Sequence, residues 1–90
     1  MKDGDNMSLE TTHLYQLNEF NEAVVASTLK DVYEALEERG YNPINQIVGY
    51  VMSGDPGYIS SHKEARTKIT KLDRTKIIEI MVRNYIEKIK

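Results

Sequence analysis

Ninety residues without a cysteine, carrying a net charge of −2, already narrow what this chain can be. A chain of this length makes one domain and buries only about 60–65% of the surface its unfolded form exposes, so a lone copy is marginal; lacking cysteine, it has no disulfide, thiolate nucleophile or thiolate zinc site. No apolar run approaches a membrane span, and the acidic start lacks the basic and apolar regions of a signal peptide, so a cytoplasmic protein is expected.

Residues 1–20 read as a flexible N-terminal arm, ahead of a helical core over 21–90. Met1–Asn6 is polar and acidic, and Met7 is an alternative start. Leu9, Leu14, Tyr15, Leu17 and Phe20 fit neither the helical nor the strand period, although Tyr15 and Leu17 alternate with polar neighbours as a short extended segment would. Asn18 or Asn21 then caps a first helix running to Arg39. Val25, Leu29, Val32 and Leu36 share one face at +4, +3, +4 spacing, and Glu34, Glu37 and Glu38 take the outer side.

Gly40 suits the left-handed position that ends a helix, and Asn42-Pro43 is an N-cap followed by proline at the first helical position. Ile44, Ile47, Val48 and Val51 form the apolar stripe of a second helix over Pro43–Ser53, which Gly54 stops. Asp55-Pro56-Gly57 is a turn: a side-chain acceptor, a fixed φ, then a free φ. Ser60 or Ser61 caps a third helix with Ala65, Ile69 and Leu72 on one face, beside Lys63, Arg66, Lys68 and Lys71.

Asp73 is the N-cap of a last helix over about residues 74–89. Its apolar residues, Ile77, Ile78, Ile80, Met81, Val82, Tyr85, Ile86 and Ile89, sweep an arc of roughly 240°, where a helix packed on one side needs little over 100°. Three other helices are too few to cover that arc. A homodimer is therefore expected, with an isologous interface drawn from Ile78, Val82, Tyr85 and Ile89.

Charge is unevenly placed. Residues 1–59 hold Lys2, Lys30 and Arg39 against ten acids, whereas residues 60–90 hold nine Lys or Arg against Glu64, Asp73, Glu79 and Glu87. Such polarity fits complementary surfaces within an assembly or between arm and core, and it also admits a nucleic-acid face. The alternative reading is accordingly a small dimeric helical DNA-binding protein, a transcriptional regulator, with His62, Lys63, Arg66 and Thr67 near the start of a recognition helix. Against it stand the long turn from Gly54 to Ser60 and the lack of any basic residue between Gly40 and His62, so nucleic acid is not the expected partner.

Catalytic chemistry finds little footing. His13 and His62 have no neighbouring ligand, and the adjacent Glu37 and Glu38 point about 100° apart on a helix. Ser53-Gly54-Asp55 lacks the glycines of a nucleophile elbow, and no glycine-rich phosphate loop precedes a helix. Tyr33, Tyr41, Tyr50, Tyr58 and Tyr85 suit half-buried rims of a small core or interface. The chain is expected not to be an enzyme, with no cofactor, no metal and no small-molecule substrate.

The uninterrupted run Gly-Tyr-Asn-Pro-Ile-Asn-Gln-Ile-Val-Gly-Tyr of residues 40–50, followed by Ser-Gly-Asp-Pro at 53–56, closely resembles the core of the IreB family, small regulatory phosphoproteins of Gram-positive bacteria. The resemblance extends from about Thr12 to Ile86. It implies phosphorylation on an N-terminal threonine by a membrane Ser/Thr kinase with extracellular PASTA repeats and dephosphorylation by a cognate phosphatase. It further implies a role in cell-envelope stress and antibiotic tolerance through a downstream protein. The family threonine sits a fixed step ahead of an extended Phe/Tyr-x-Leu/Phe stretch, which maps it here to Thr12 before Tyr15-Gln16-Leu17. Where some members carry a second threonine three residues earlier this chain has Leu9, leaving Thr11 as the substitute. The acid-rich start of the last helix in the family is here Asp73-Arg74-Thr75-Lys76, with Ile80 where an acid is common. The expectation is thus an all-α, four-helix homodimer with a flexible arm.

Overall fold

The computed structural model describes residues 22–90. These form four α-helices: α1, helical over 22–38; α2, Pro43–Ser53; α3, Ala65–Thr70; and α4, Arg74–Ile89. Short 3₁₀ turns at Pro56–Tyr58 and His62–Glu64 connect α2 to α3, and no strand occurs among the described residues.

Local signals set most of the boundaries. At the end of α1, Gly40 adopts φ +83, the Tyr41 N–H donates to the Leu36 carbonyl at 3.0 Å and the Gly40 N–H to that of Glu37 at 3.0 Å. This paired closure satisfies carbonyls the helix leaves open. Asn42 then accepts the Asn45 N–H at 3.1 Å with Pro43 in the first turn, so α2 starts one residue after α1's exit is complete. Gly54, at φ +78, closes α2 through its N–H to the Tyr50 carbonyl at 2.7 Å. Asp55 holds the next turn by accepting the Gly57 N–H at 2.8 Å, and Asp73 caps α4 by accepting the Thr75 N–H at 2.9 Å.

The core is apolar throughout, with no buried polar side chain among the described residues. α1 contributes Val25, Val32, Ala35 and Leu36, with Leu29 packed at the margin, as its spacing predicts. Ala65 and Ile69 come from α3, with Leu72 at its edge, and Ile77 and Ile80 come from α4. Ile59, fully buried in the α2–α3 connection, anchors that loop to the core. Burying a side chain of this size is worth about 1.5–3 kcal/mol.

Two expectations are corrected. The α2 stripe divides: Ile47, Tyr50 and Val51 face the core, while Ile44, Val48 and Met52 face outward at 51–74% exposure. Tyr50 therefore belongs to the interior at 4% exposure, whereas Tyr33 and Tyr58 are half-exposed and Tyr41 and Tyr85 more so. The third helix is also shorter than its pattern predicts. Ser60 Oγ accepts the His62 N–H at 3.0 Å and Ser61 makes no side-chain cap, but the chain then passes through Lys63 at φ 52 and Glu64 at φ 60. Two consecutive left-handed residues cannot continue a right-handed helix, so α3 begins only at Ala65.

Candidate functional site

Five of the large apolar residues exposed among the described residues lie on α4. Its first two turns are held by Ile77 and Ile80, with Met81 packed at the margin, and every residue from Val82 to Lys90 is exposed. Ile78, Val82, Tyr85 and Ile89 follow +4, +3, +4 spacing along one side, and are 36%, 55%, 63% and 60% exposed. Ile86, 44% exposed, flanks them. The four residues singled out in the sequence therefore form one outward line that α1, α2 and α3, as described, leave exposed.

The polar surface is organised by Glu38 at the end of α1. Its Oε1 lies 2.8 Å from His62 Nε2, and Lys63 Nζ is 3.1 Å from the same carboxylate. These hydrogen bonds, the one from His62 first and that from Lys63 second, hold the Glu38 carboxyl below its ordinary range. Two long-range contacts thus tie the α1 exit to the left-handed turn before α3. Glu37 is exposed and takes part in none of the ion pairs among the described residues.

The basic residues of the C-terminal third are largely engaged in building the fold. Arg66 Nε donates to the carbonyls of Ile59 at 2.9 Å and Pro56 at 3.2 Å, pinning the α2–α3 loop. Lys68 Nζ pairs with Asp31 at 3.1 Å, and Arg74 Nη1 donates to the Val51 carbonyl at 3.0 Å, across the end of α2. A recognition helix needs a straight N-terminal turn presenting free polar side chains; here that turn is bent, α3 has six residues, and Lys63 and Arg66 are committed elsewhere. The geometry gives no support to the DNA-binding alternative.

A separate cleft opens where α1 begins. Among the described residues it is lined by Val24, Val25, Lys71, Leu72, Asp73 and Lys76, with a volume of about 290 Å³. Lys71 is exposed and Lys76 half-buried, its Nζ 3.2 Å from Glu79 Oε1. Sequence reasoning missed this place because it joins the start of α1 to the α3–α4 turn, almost fifty residues away. Thr12, Thr11, His13 and the extended stretch Tyr15-Gln16-Leu17 lie outside the described residues. Among those described, no three His, Asp or Glu side chains cluster as a metal site would need, and no helix is long and apolar enough to cross a membrane.

Comparison with known families follows the same line as the sequence. The family model for the IreB regulatory phosphoprotein matches residues 10–87, which takes in all four helices almost to the end of α4 and reaches back across Thr11 and Thr12.

Proposed function

The chain belongs to the IreB family of regulatory phosphoproteins, and from that premise we propose that it is a homodimeric, non-enzymatic cytoplasmic switch, phosphorylated at Thr12 on an N-terminal arm of residues 1–20. The family match over residues 10–87 carries the regulatory part of this reading, because it spans the segment that holds Thr12. The outward line of Ile78, Val82, Tyr85 and Ile89 supports the dimer: a contiguous apolar face of this kind on a small domain marks an interaction site.

The physical logic is that of a rigid body with a chargeable tail. The helical core offers a fixed surface, while phosphate adds about −1.5 to −2 charges and three strong acceptors to a segment that already carries Lys2 against Asp3, Asp5, Glu10 and Glu19. A membrane Ser/Thr kinase and its phosphatase set the state. A downstream protein reads it, in cell-envelope stress and antibiotic-tolerance signalling.

Phosphopeptide mapping after treatment with such a kinase tests the site. Phosphate should appear on the peptide containing Thr12 and disappear in Thr12→Ala, with Thr11→Ala left modified. Undiminished phosphorylation of the Thr12→Ala protein would remove Thr12 from the mechanism.

A further inference from the structure

The described body starts at residue 22, at the end of α1 that borders the cleft lined by Val24, Val25, Lys71, Leu72, Asp73 and Lys76. Thr12 is ten residues ahead of that point, and ten residues span up to about 33 Å when extended, so the cleft at the root of the segment lies well within reach. Closing so short a loop also has a small entropic cost compared with capturing a separate molecule.

The chemistry of the cleft fits such an occupant. Its apolar lining comes from Val24, Val25 and Leu72, and the sequence leading to residue 22 contains the apolar residues Tyr15, Leu17 and Phe20. Its rim carries two ammonium groups. Lys71 takes part in none of the side-chain ion pairs found among the described residues. Lys76 touches Glu79, but Glu79 is also held by Arg83 at 2.9 Å, so turning Lys76 toward a phosphate leaves that carboxylate partnered. The acid in the cleft, Asp73, has its carboxylate turned to the Thr75 N–H as the α4 cap. Lys68 and Arg74, nearby in sequence, are withdrawn by Asp31 and by the Val51 carbonyl. The docking charge is thereby confined to Lys71 and Lys76.

We propose that phosphorylated Thr12 folds the N-terminal segment back onto this cleft, with Lys71 and Lys76 gripping the phosphate and the segment's apolar residues covering Val24 and Leu72. The switch then exchanges one surface for another, the basic rim and apolar floor being exposed in the unmodified protein and hidden in the phosphorylated one. Exposed ion pairs are individually weak and screened by salt; the two lysines act together, and the apolar cover adds the remainder.

This inference rests on the assignment of Thr12, so the test installs the modification chemically and does not depend on any kinase. The chain has no cysteine, so Ser8→Cys accepts a single nitroxide label in full-length protein assembled with phosphothreonine or threonine at position 12. Paramagnetic broadening of ¹⁵N amides reports proximity. Docking requires loss of the Lys71, Leu72 and Lys76 signals in the phosphorylated protein at low salt. Those signals should return at high salt, in the unmodified protein and in Lys71→Gln/Lys76→Gln. Absence of broadening in the phosphorylated chain, or equal broadening with and without phosphate, overturns the proposal and leaves the phosphate to be read by a separate protein. Broadening that survives the double glutamine substitution removes the lysines from it. Failure of the kinase experiment with success of this one would instead mean that the cleft binds phosphate at Thr12 while cells modify another residue.

Discussion

Gly49 illustrates how one residue reconciles two demands. It lies inside α2, where glycine is about 1 kcal/mol worse than alanine, yet a Cβ there would collide with the Tyr58 ring. The missing side chain lets Tyr58 lie against the helix, while its carbonyl accepts from Gln46 Nε2 at 2.9 Å. Gly49→Ala should therefore destabilise despite its better helix propensity, by about 1–2 kcal/mol, within the usual range for overpacking. In a Tyr58→Ala background the same change should become stabilising. Urea denaturation of the four proteins of that cycle reads the reversal of sign directly, and a change of equal sign in both backgrounds would count against the contact.

Glu38 makes a prediction about pH. Its folded-state pKa is depressed, so the ionised form favours the folded chain. Its contribution is present above the ordinary value of 4.5 and is lost as pH falls through the lower folded value. Stability profiles of wild type and Glu38→Gln should differ at neutral pH and converge in acid, as followed by circular dichroism. The turn it holds contains Lys63 and Glu64, both left-handed. Loosening there should appear as faster amide exchange across residues 61–66 in the variant.

At the level of elements, the ends of helices were legible and their faces less so. Gly40, Asn42-Pro43, Gly54, Asp55 and Asp73 each act within a few residues of themselves, and each performs the closure its chemistry implies. The α2 stripe was misread because periodicity gives the width of an apolar face without saying which part meets the core; Ile44 and Val48 belong to the pattern but lie outside. α3 was overestimated because the tie from Glu38 to His62 and Lys63, some 24 residues apart in sequence, lies beyond any local signal. Thr11 and Thr12 rest on family membership, since isolated threonines carry no mark in composition or spacing.

The face of α4 yields the assembly prediction. Light scattering of the wild-type protein should give twice the chain mass, and Val82→Asp should give a folded monomer, because Val82 is 55% exposed in a single copy and lies outside the core cluster. An unpaired carboxylate buried between two copies is strongly unfavourable. A wild-type monomer at high micromolar concentration, or a Val82→Asp protein that dimerises equally well, would rule out this face as the interface.

For the whole molecule, charge separates the regulator from the DNA-binding alternative. The C-terminal third is basic in sequence, yet Lys63, Arg66, Lys68 and Arg74 are each occupied by a carboxylate or a carbonyl. Few phosphates of a duplex can be neutralised at once, so any DNA binding should be sequence-blind and disappear at moderate salt. Filter binding across a salt series reads the slope. A sequence-specific footprint at physiological salt, lost on replacing Lys63 and Arg66, would reverse the assignment.

The uncovered end of α4 also sets a clock. Within residues 74–81, Ile77, Ile80 and Met81 tie the helix to the core, whereas the turns beyond Val82 have no buried residue and only the exposed Arg83–Glu79 pair beside their backbone hydrogen bonds. An eight-residue stretch is too short to be helical by itself and persists only by continuing the turns before it, while helix–coil relaxation takes about 0.1–1 μs. In a single copy this tail is expected to fray and reform on that timescale, with its amide protons exchanging faster than those of residues 74–81. Any surface that covers the tail slows its exchange, so the lifetime of a few protons near Tyr85 and Ile89 is a label-free gauge of how many molecules are engaged at a given moment.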